Sequence, residues 1–239
     1  ILAAICLSSF GQQQEEKKKF QIKGQPIVTV FANYHAGLGR ANKESGFALD
    51  RAYLGYQFSL TEKLSGKVVF DMGSTKVSGS DLERVAYIKN AMLSWKTGNF
   101  TLDFGLIGLV QFSVQEKFWG YRYIMKPFQD EYKFGSSADM GILGKYKFTK
   151  WLSADITISN GEGYKKLNSD NKNRYAVGTT ILPVKNLTLR AYYDLASKNI
   201  EGDATKDQQN LAFFAGYKHE LFSIGATVRS KSLRTTYFL

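Results

Sequence analysis

From Pro26 onward the chain is written largely in a period of two. In Trp151 to Ser159 the apolar set is Leu152, Ala154, Ile156 and Ile158, and the polar set is Ser153, Asp155, Thr157 and Ser159, without exception. Successive side chains of a strand point to opposite faces, so this pattern describes a strand with one oily and one wet face. The same alternation runs through Ala48 to Leu60, where Ala52, Leu54, Tyr56, Phe58 and Leu60 oppose Arg51, Gln57 and Ser59. It returns in 66–73, 90–96, 100–104, 140–148, 187–195 and 222–229, and about eleven such segments follow from the periodicity. No stretch carries a helical stripe. The expected class is all-β.

The connections fall into two kinds that alternate along the chain. Short turns are expected at 61–63, 96–99, 149–150, 183–186 and 219–220, and long polar loops at 38–45, 74–83, 112–137, 160–173 and 197–209. A soluble sandwich has no reason to make every second connection long. A transmembrane barrel does, with tight turns at one rim and long loops at the other. The rings follow the same division. Phe58, Trp95, Phe100, Phe148, Trp151, Tyr217 and Phe222 are expected on the oily face beside the short turns, and Tyr34, Tyr87, Tyr175 and Tyr193 on that face towards the long loops. Two such belts are what amphipathic rings form at the two headgroup levels of a bilayer. The competing reading, an aromatic core inside a soluble sandwich, does not explain rings confined to strand ends. The expectation is therefore an antiparallel transmembrane β-barrel of about eleven or twelve visible strands in the bacterial outer membrane, touching lipid and lipopolysaccharide.

The chain of 239 residues carries 32 Lys and Arg against 21 Asp and Glu, a formal charge of +11 that favours anionic partners. The basic residues are spread through strands rather than gathered on one surface, so nucleic acid is not expected. Three prolines and a single cysteine exclude a Pro-rich chain and a disulfide scaffold. No zinc-ligand spacing is present, and neither a metal nor a cofactor is expected. The apolar run Ile1 to Phe10 is shorter than the about 20 residues of a helical span. With Ser9, Phe10 and Gly11 before Gln12, it reads as the end of a signal peptide at 1–11. Cys6 as a lipidation site is the alternative, opposed by the bulky Ile5 before it. Residues 12–25 read as a polar linker and 26–239 as the barrel.

If the oily face meets lipid, the wet face lines a lumen. It holds Arg51, Lys67, Lys96, Lys145, Lys147, Arg174, Arg190, Lys218 and Arg229 against Asp71, Asp103, Asp139, Asp155 and Asp194. The basic residues expected to line a pore are Arg51, Lys67, Lys96, Lys145, Lys147 and Arg190, whose excess concentrates anions. The competing reading is an interior sealed by Arg–Asp and Lys–Asp pairs. The loop at 112–137 interleaves Phe118, Trp119, Tyr121, Tyr123, Ile124, Met125, Phe128 and Tyr132 with Lys117, Arg122, Lys126 and Lys133. So many rings need a surface to pack on, and the inner wall is the nearest. Folded inward, the loop would place Lys117, Trp119, Arg122 and Lys126 at a constriction; a cap on neighbouring loops and a subunit contact are the alternatives.

Four segments carry a family resemblance. They are Leu49-Asp50-Arg51-Ala52-Tyr53-Leu54-Gly55, Val69-Phe70-Asp71-Met72-Gly73, Phe112-Ser113-Val114-Gln115-Glu116 and Ser137-Ala138-Asp139-Met140-Gly141. With them the chain resembles the porin O and P type, phosphate-selective porin-like outer-membrane barrels in their Bacteroidetes version. The resemblance implies a homotrimeric channel, with an inward-folded third loop at the constriction and lysines and arginines that draw in small anions such as phosphate. The function it implies is a porin, passing small hydrophilic solutes by diffusion with a mild preference for anions. Two features depart from the family. The third loop is nearly balanced in charge, which does not support a dedicated phosphate site, and family members are longer, with more strands.

The alternatives are a non-conducting structural or adhesive barrel, or a membrane-embedded hydrolase built on His35 and a nearby serine. His35 and His219 are the only histidines and no motif links either to a nucleophile, so no catalytic residue is expected. Gly37-Leu38-Gly39-Arg40 lacks the context of a phosphate loop and reads as a turn. At the other end, Phe222 to Arg229 is expected as the eleventh strand. The remainder then makes either a tight hairpin at Ser230-Lys231-Ser232 with a stunted twelfth strand from Leu233 to Leu239, or part of a truncated copy of a larger, 16-stranded type of barrel. Truncation is the expectation.

Overall fold

The computed structural model describes residues 22–37, 45–74, 84–132, 134–166, 171–200 and 204–237. Eleven strands form one sheet in sequence order. They are β1 (Lys23–Ala36), β2 (Ser45–Ser59), β3 (Leu64–Ser74), β4 (Arg84–Thr97), β5 (Phe100–Gly108), β6 (Ala138–Lys147), β7 (Leu152–Ser159), β8 (Arg174–Ile181), β9 (Leu187–Ile200), β10 (Ala204–Lys218) and β11 (Ser223–Tyr237). Every neighbouring pair is antiparallel. Between β5 and β6 lie two helices, α1 (Val110–Trp119) and α2 (Phe128–Glu131). No helix among the described residues is long and apolar enough to cross a membrane.

The sheet is inside out relative to a soluble domain. Its concave face buries Asp71, Asp103, Asp139, Asp155, Asp194, Asn90, Asn210, Arg174 and Arg190, and its convex face exposes apolar side chains such as Ile156, Phe213, Ile224 and Val228. Large aliphatic residues are ordinarily the most buried and Asp and Arg the least, so this distribution inverts the usual partition.

Several expectations need correction. The helices were not visible in the sequence, because α1 buries Gln111 and Gln115 beside Phe112 and Phe118. A helix set against a polar wall carries no oily stripe. The eleventh strand runs unbroken to Tyr237, with Ser230 opposite Leu211 and Ser232 opposite Gln209, so no hairpin forms at Ser230-Lys231-Ser232. The expected long loop at 197–209 is largely strand, since β9 and β10 stay paired up to Ile200 and Ala204. The sequence over 197–209 carries no alternation of apolar and polar residues, so the period disappears there. The strand β1 begins at Lys23, paired with Ser59, inside the segment read as linker. The expected signal peptide, Cys6 and the loops at 38–44 and 75–83 lie outside the described residues.

Two bulges reset the alternation. Phe31 and Ala32 oppose Arg51 and Leu49, leaving Asp50 unmatched, and Val69 and Phe70 oppose Asn90 and Ile88, leaving Lys89 unmatched. One extra residue transfers everything beyond it to the other face. Tyr87, expected in the outer belt, therefore faces inward: it stands opposite the buried Asp71, and the Lys165 ammonium lies 4.2 Å from its ring centroid. Tyr34 and Tyr175 remain exposed on the convex face, as do Trp95, Phe148, Trp151, Tyr217 and Phe222 beside the short turns.

The strands β1 and β11 are the two edges of the sheet and have no pairing with each other. In a strictly antiparallel order the first and eleventh strands run the same way, so a direct closure between them would be a parallel pair.

Candidate functional site

The concave face holds the 109–137 segment against the wall. Ile107, Leu109, Phe112 and Leu143 form a small apolar cluster at the start of α1. At its far end the Phe118 ring lies 5.1 Å from that of Phe214, edge to face, and Trp119 lies 6.5 Å from the same ring. Gly216 provides the space, since a Cβ there would run into the Phe118 ring. The helix ends where Gly120 adopts a left-handed conformation and donates its N–H to the Glu116 carbonyl at 2.9 Å. Lys218 from β10 donates its ammonium to the Phe118 carbonyl at 3.2 Å, a cation at the negative end of the helix.

The second half of the segment is held by charge. Arg122 donates Nε to Glu116 at 3.0 Å and Nη2 to Asp130 at 3.1 Å, drawing the chain after α1 into a compact turn. Arg229 of β11 donates Nη2 to the Phe134 carbonyl at 2.6 Å and lies 4.3 Å over its ring. A second inward segment follows β7. Asp139 accepts the backbone N–H groups of Gly161 and Gly163, at 2.7 and 3.2 Å, and Tyr164 reaches Asp71.

The inward basic residues divide by partner. Arg51 pairs with Asp71 at 3.2 Å, Lys145 with Asp103 at 2.6 Å, Arg174 with Asp194 at 2.8 Å and Arg190 with Asp155 at 2.8 Å. Arg190 is 2 % exposed and its guanidinium also donates to Gln111 and Thr180, so it has no face towards open solvent. Lys96 and Lys147 stand opposite Thr101 and Ser153, near the short-turn rim. Lys67 is different. It is near enough to Lys89 and Lys117 to feel both charges, with Asp103 as the opposing one. None of these three lysines has an ion-pair partner among the described residues. Lys89 donates to the Tyr53 hydroxyl at 2.8 Å and lies 4.0 Å over that ring. Sequence reading missed Lys89 because the bulge that turns it inward leaves no trace in the period.

Of the residues expected at a constriction, Lys117 joins this triad and Trp119 packs on the wall. Arg122 is a clamp, and Lys126 lines two cavities on either side of the 121–132 stretch. One, of about 540 Å³, lies against Gly225 and Thr227 of β11, and the other, of about 580 Å³, against Phe31, Asp50 and Arg51 of β1 and β2. The two histidines stay apart: His35 stands opposite Gly46 on β1, whereas His219 stacks on Phe222 at 5.1 Å in the last short turn. Among the described residues no group of three His, Cys, Asp or Glu side chains is placed to hold a metal ion.

No family model matches the chain. No curated protein matches it. Among solved structures it is similar to a loop L8 deletion mutant of OmpT, an outer membrane protein of Vibrio cholerae, at 12 % identity, covering 90 % of this chain and 82 % of that one, with a TM-score of 0.44. It is also similar to Salmonella typhi OmpF in complex with daunomycin, at 13 % identity over 88 % and 78 % of the two chains, with a TM-score of 0.42. A mutant of Rh. blastica porin is similar at 10 % identity over 88 % and 84 %, with a TM-score of 0.45.

Proposed function

We propose that the sheet is the wall of a porin-like channel in the bacterial outer membrane, through which small hydrophilic solutes diffuse with a mild preference for anions. The inverted partition carries this reading: charged residues line the concave face and apolar side chains cover the convex one. Outward oil and inward charge suit a sheet with lipid on one side and water on the other. The 109–137 segment narrows the lumen from within. The preference comes from Lys67, Lys89 and Lys117, whose charges are not matched by ion pairs among the described residues, whereas Arg51, Lys145 and Arg190 are largely neutralised by neighbouring aspartates. In hydrocarbon an unpaired strand edge leaves backbone donors and acceptors without partners, so β1 and β11 each pair with a further strand in the membrane. The assembly is a homotrimer in this reading, as the family resemblance implies, with lipid and lipopolysaccharide around it.

The experiment is planar-bilayer recording of the protein recovered from outer membranes. Stepwise conductance with an anion-favouring reversal potential is expected, and Lys67→Glu with Lys117→Glu should move that potential towards cations. The control is Lys150→Glu with Lys185→Glu, at the short turns. A silent bilayer with correctly inserted protein overturns the channel, and an equal shift from the control overturns the role of the three lysines.

A further inference from the structure

The cavity between β1–β2 and the 121–132 stretch differs in chemistry from the lysine triad. Its walls include the rings of Phe31, Tyr123 and Tyr132, and the two tyrosines are 60 % and 64 % exposed. Between these rings stand charged side chains of both signs, and carboxylates outnumber cations once their partners are counted. Arg51 is matched by Asp71, and Arg122 by Glu116 and Asp130. Asp50 and Glu131 face the cavity together with Lys126. A net anion gains little in such a place.

The pairing also fixes the donors. Arg51 uses Nε on Asp71 and Nη1 on the Tyr53 hydroxyl, and Arg122 uses Nε and Nη2 on its two carboxylates. Nη2 of Arg51 and Nη1 of Arg122 are left without a protein acceptor among the described residues. The site thus combines flat apolar surfaces, pre-oriented N–H donors and carboxylate acceptors in a space of about 580 Å³. That is the size of a small-molecule pocket, with a few placed polar groups between apolar walls. A pyranose fits this set, because its C–H faces lie flat on aromatic rings while its hydroxyl rim both donates and accepts. The neighbouring cavity offers no such set: Trp119, Ile124, Met125, Pro127 and Phe128 line it, with Lys126 as the only charge among the described residues.

We propose that the cavity bounded by Phe31, Arg51, Arg122, Tyr123 and Tyr132 is a docking site for neutral sugars, of one or two pyranose rings at a time, on the solute path. The proposal rests on the channel reading for its place on that path, but binding is measurable without conductance. The probe is maltotriose, added to the protein purified from outer membranes in detergent, with saturation-transfer NMR as the readout. Transfer to the ring C–H protons is expected. Tyr123→Ala with Tyr132→Ala should weaken it about tenfold, as loss of two ring contacts implies. Tyr123→Phe with Tyr132→Phe should retain it, and Lys67→Gln with Lys117→Gln should leave it unchanged. Both tyrosines are more than half exposed, so their truncation leaves the wall intact. Absence of transfer, equal transfer in the alanine variant, or displacement by inorganic phosphate overturns the site. Sugar binding by a preparation that shows no conductance steps supports the site and removes the channel reading instead.

Discussion

The phenolic hydroxyl of Tyr164 donates to Asp71 at 2.7 Å, joining the segment after β7 to β3 across 93 positions of sequence. Burial, and then the hydrogen bond to Asp71, push the Tyr164 phenol well above its ordinary range. The donor is therefore held protonated in the folded state. A raised folded-state pKa contributes stability that is complete below the unfolded value of about 10 and is lost as pH rises beyond it. Tyr164→Phe should cost about 1 to 2 kcal/mol at neutral pH. The difference from wild type should stay flat to about pH 9 and shrink above about pH 10. Urea unfolding in detergent micelles over that range checks this, and a difference that grows with alkali contradicts it.

Arg190 and Asp155 should behave as a structural pair. Both guanidinium terminal nitrogens reach the carboxylate, at 2.8 and 3.0 Å. Removing one member leaves the other buried without its counter-charge, so Arg190→Ala should destabilise by about 3 to 5 kcal/mol. Replacing both by leucine should restore most of that loss, because a buried pair is often matched by apolar side chains of similar volume. Denaturant unfolding of the single and double variants tests the coupling. A reversal-potential shift in Arg190→Gln as large as that in Lys67→Glu would place Arg190 back on the solute path.

How much of this was legible in the sequence depends on whether one face of each strand was oily. In β7 the alternation of Leu152, Ala154, Ile156 and Ile158 with polar residues made the strand and its faces readable from the sequence alone. In β4 the same logic failed beyond Lys89, because a bulge is a matter of pairing and no residue in Tyr87-Ile88-Lys89-Asn90 announces it. The inward course of the 112–137 loop followed from its surplus of rings. Its helix did not, since Gln111 and Gln115 occupy the face turned to the wall. The inward charges were read as a set and not as individual pairs, as Arg190 and Asp155 are 35 positions apart and only the pairing of β7 and β9 with β8 between them brings the two together.

Gly216 controls how closely α1 lies on the wall. A Cβ at that position would meet the rings of Phe118 and Phe214. Gly216→Leu should displace α1 from β10 and also loosen the Lys218 contact to the Phe118 carbonyl. In the channel reading the helix is pushed further into the lumen and narrows it, with smaller single-channel conductance. Unchanged conductance in a correctly inserted variant would mean that α1 does not set the narrowest section.

The convex face provides the sharpest test of its solvent. Ile156 is 62 % exposed at the middle of β7, opposite Val177, itself exposed on the same face. In water, arginine at an exposed strand position away from special features changes stability by less than about 0.5 kcal/mol. In hydrocarbon, a charge on the outer face of a barrel costs about 2 to 4 kcal/mol at the midplane and about 0 to 1 kcal/mol near the headgroups. Ile156→Arg should therefore be strongly destabilising in phospholipid bilayers. Leu182→Arg, just past the end of β8 in a short turn and also exposed, should be tolerated. The comparison is the unfolding free energy of both variants in the same lipid. Depth dependence of this sign follows from a bilayer alone, because both side chains are exposed on the same molecule and differ chiefly in their distance from the rim. Equal and small effects at the two positions would mean that water covers the convex face, and the membrane reading would fall with it.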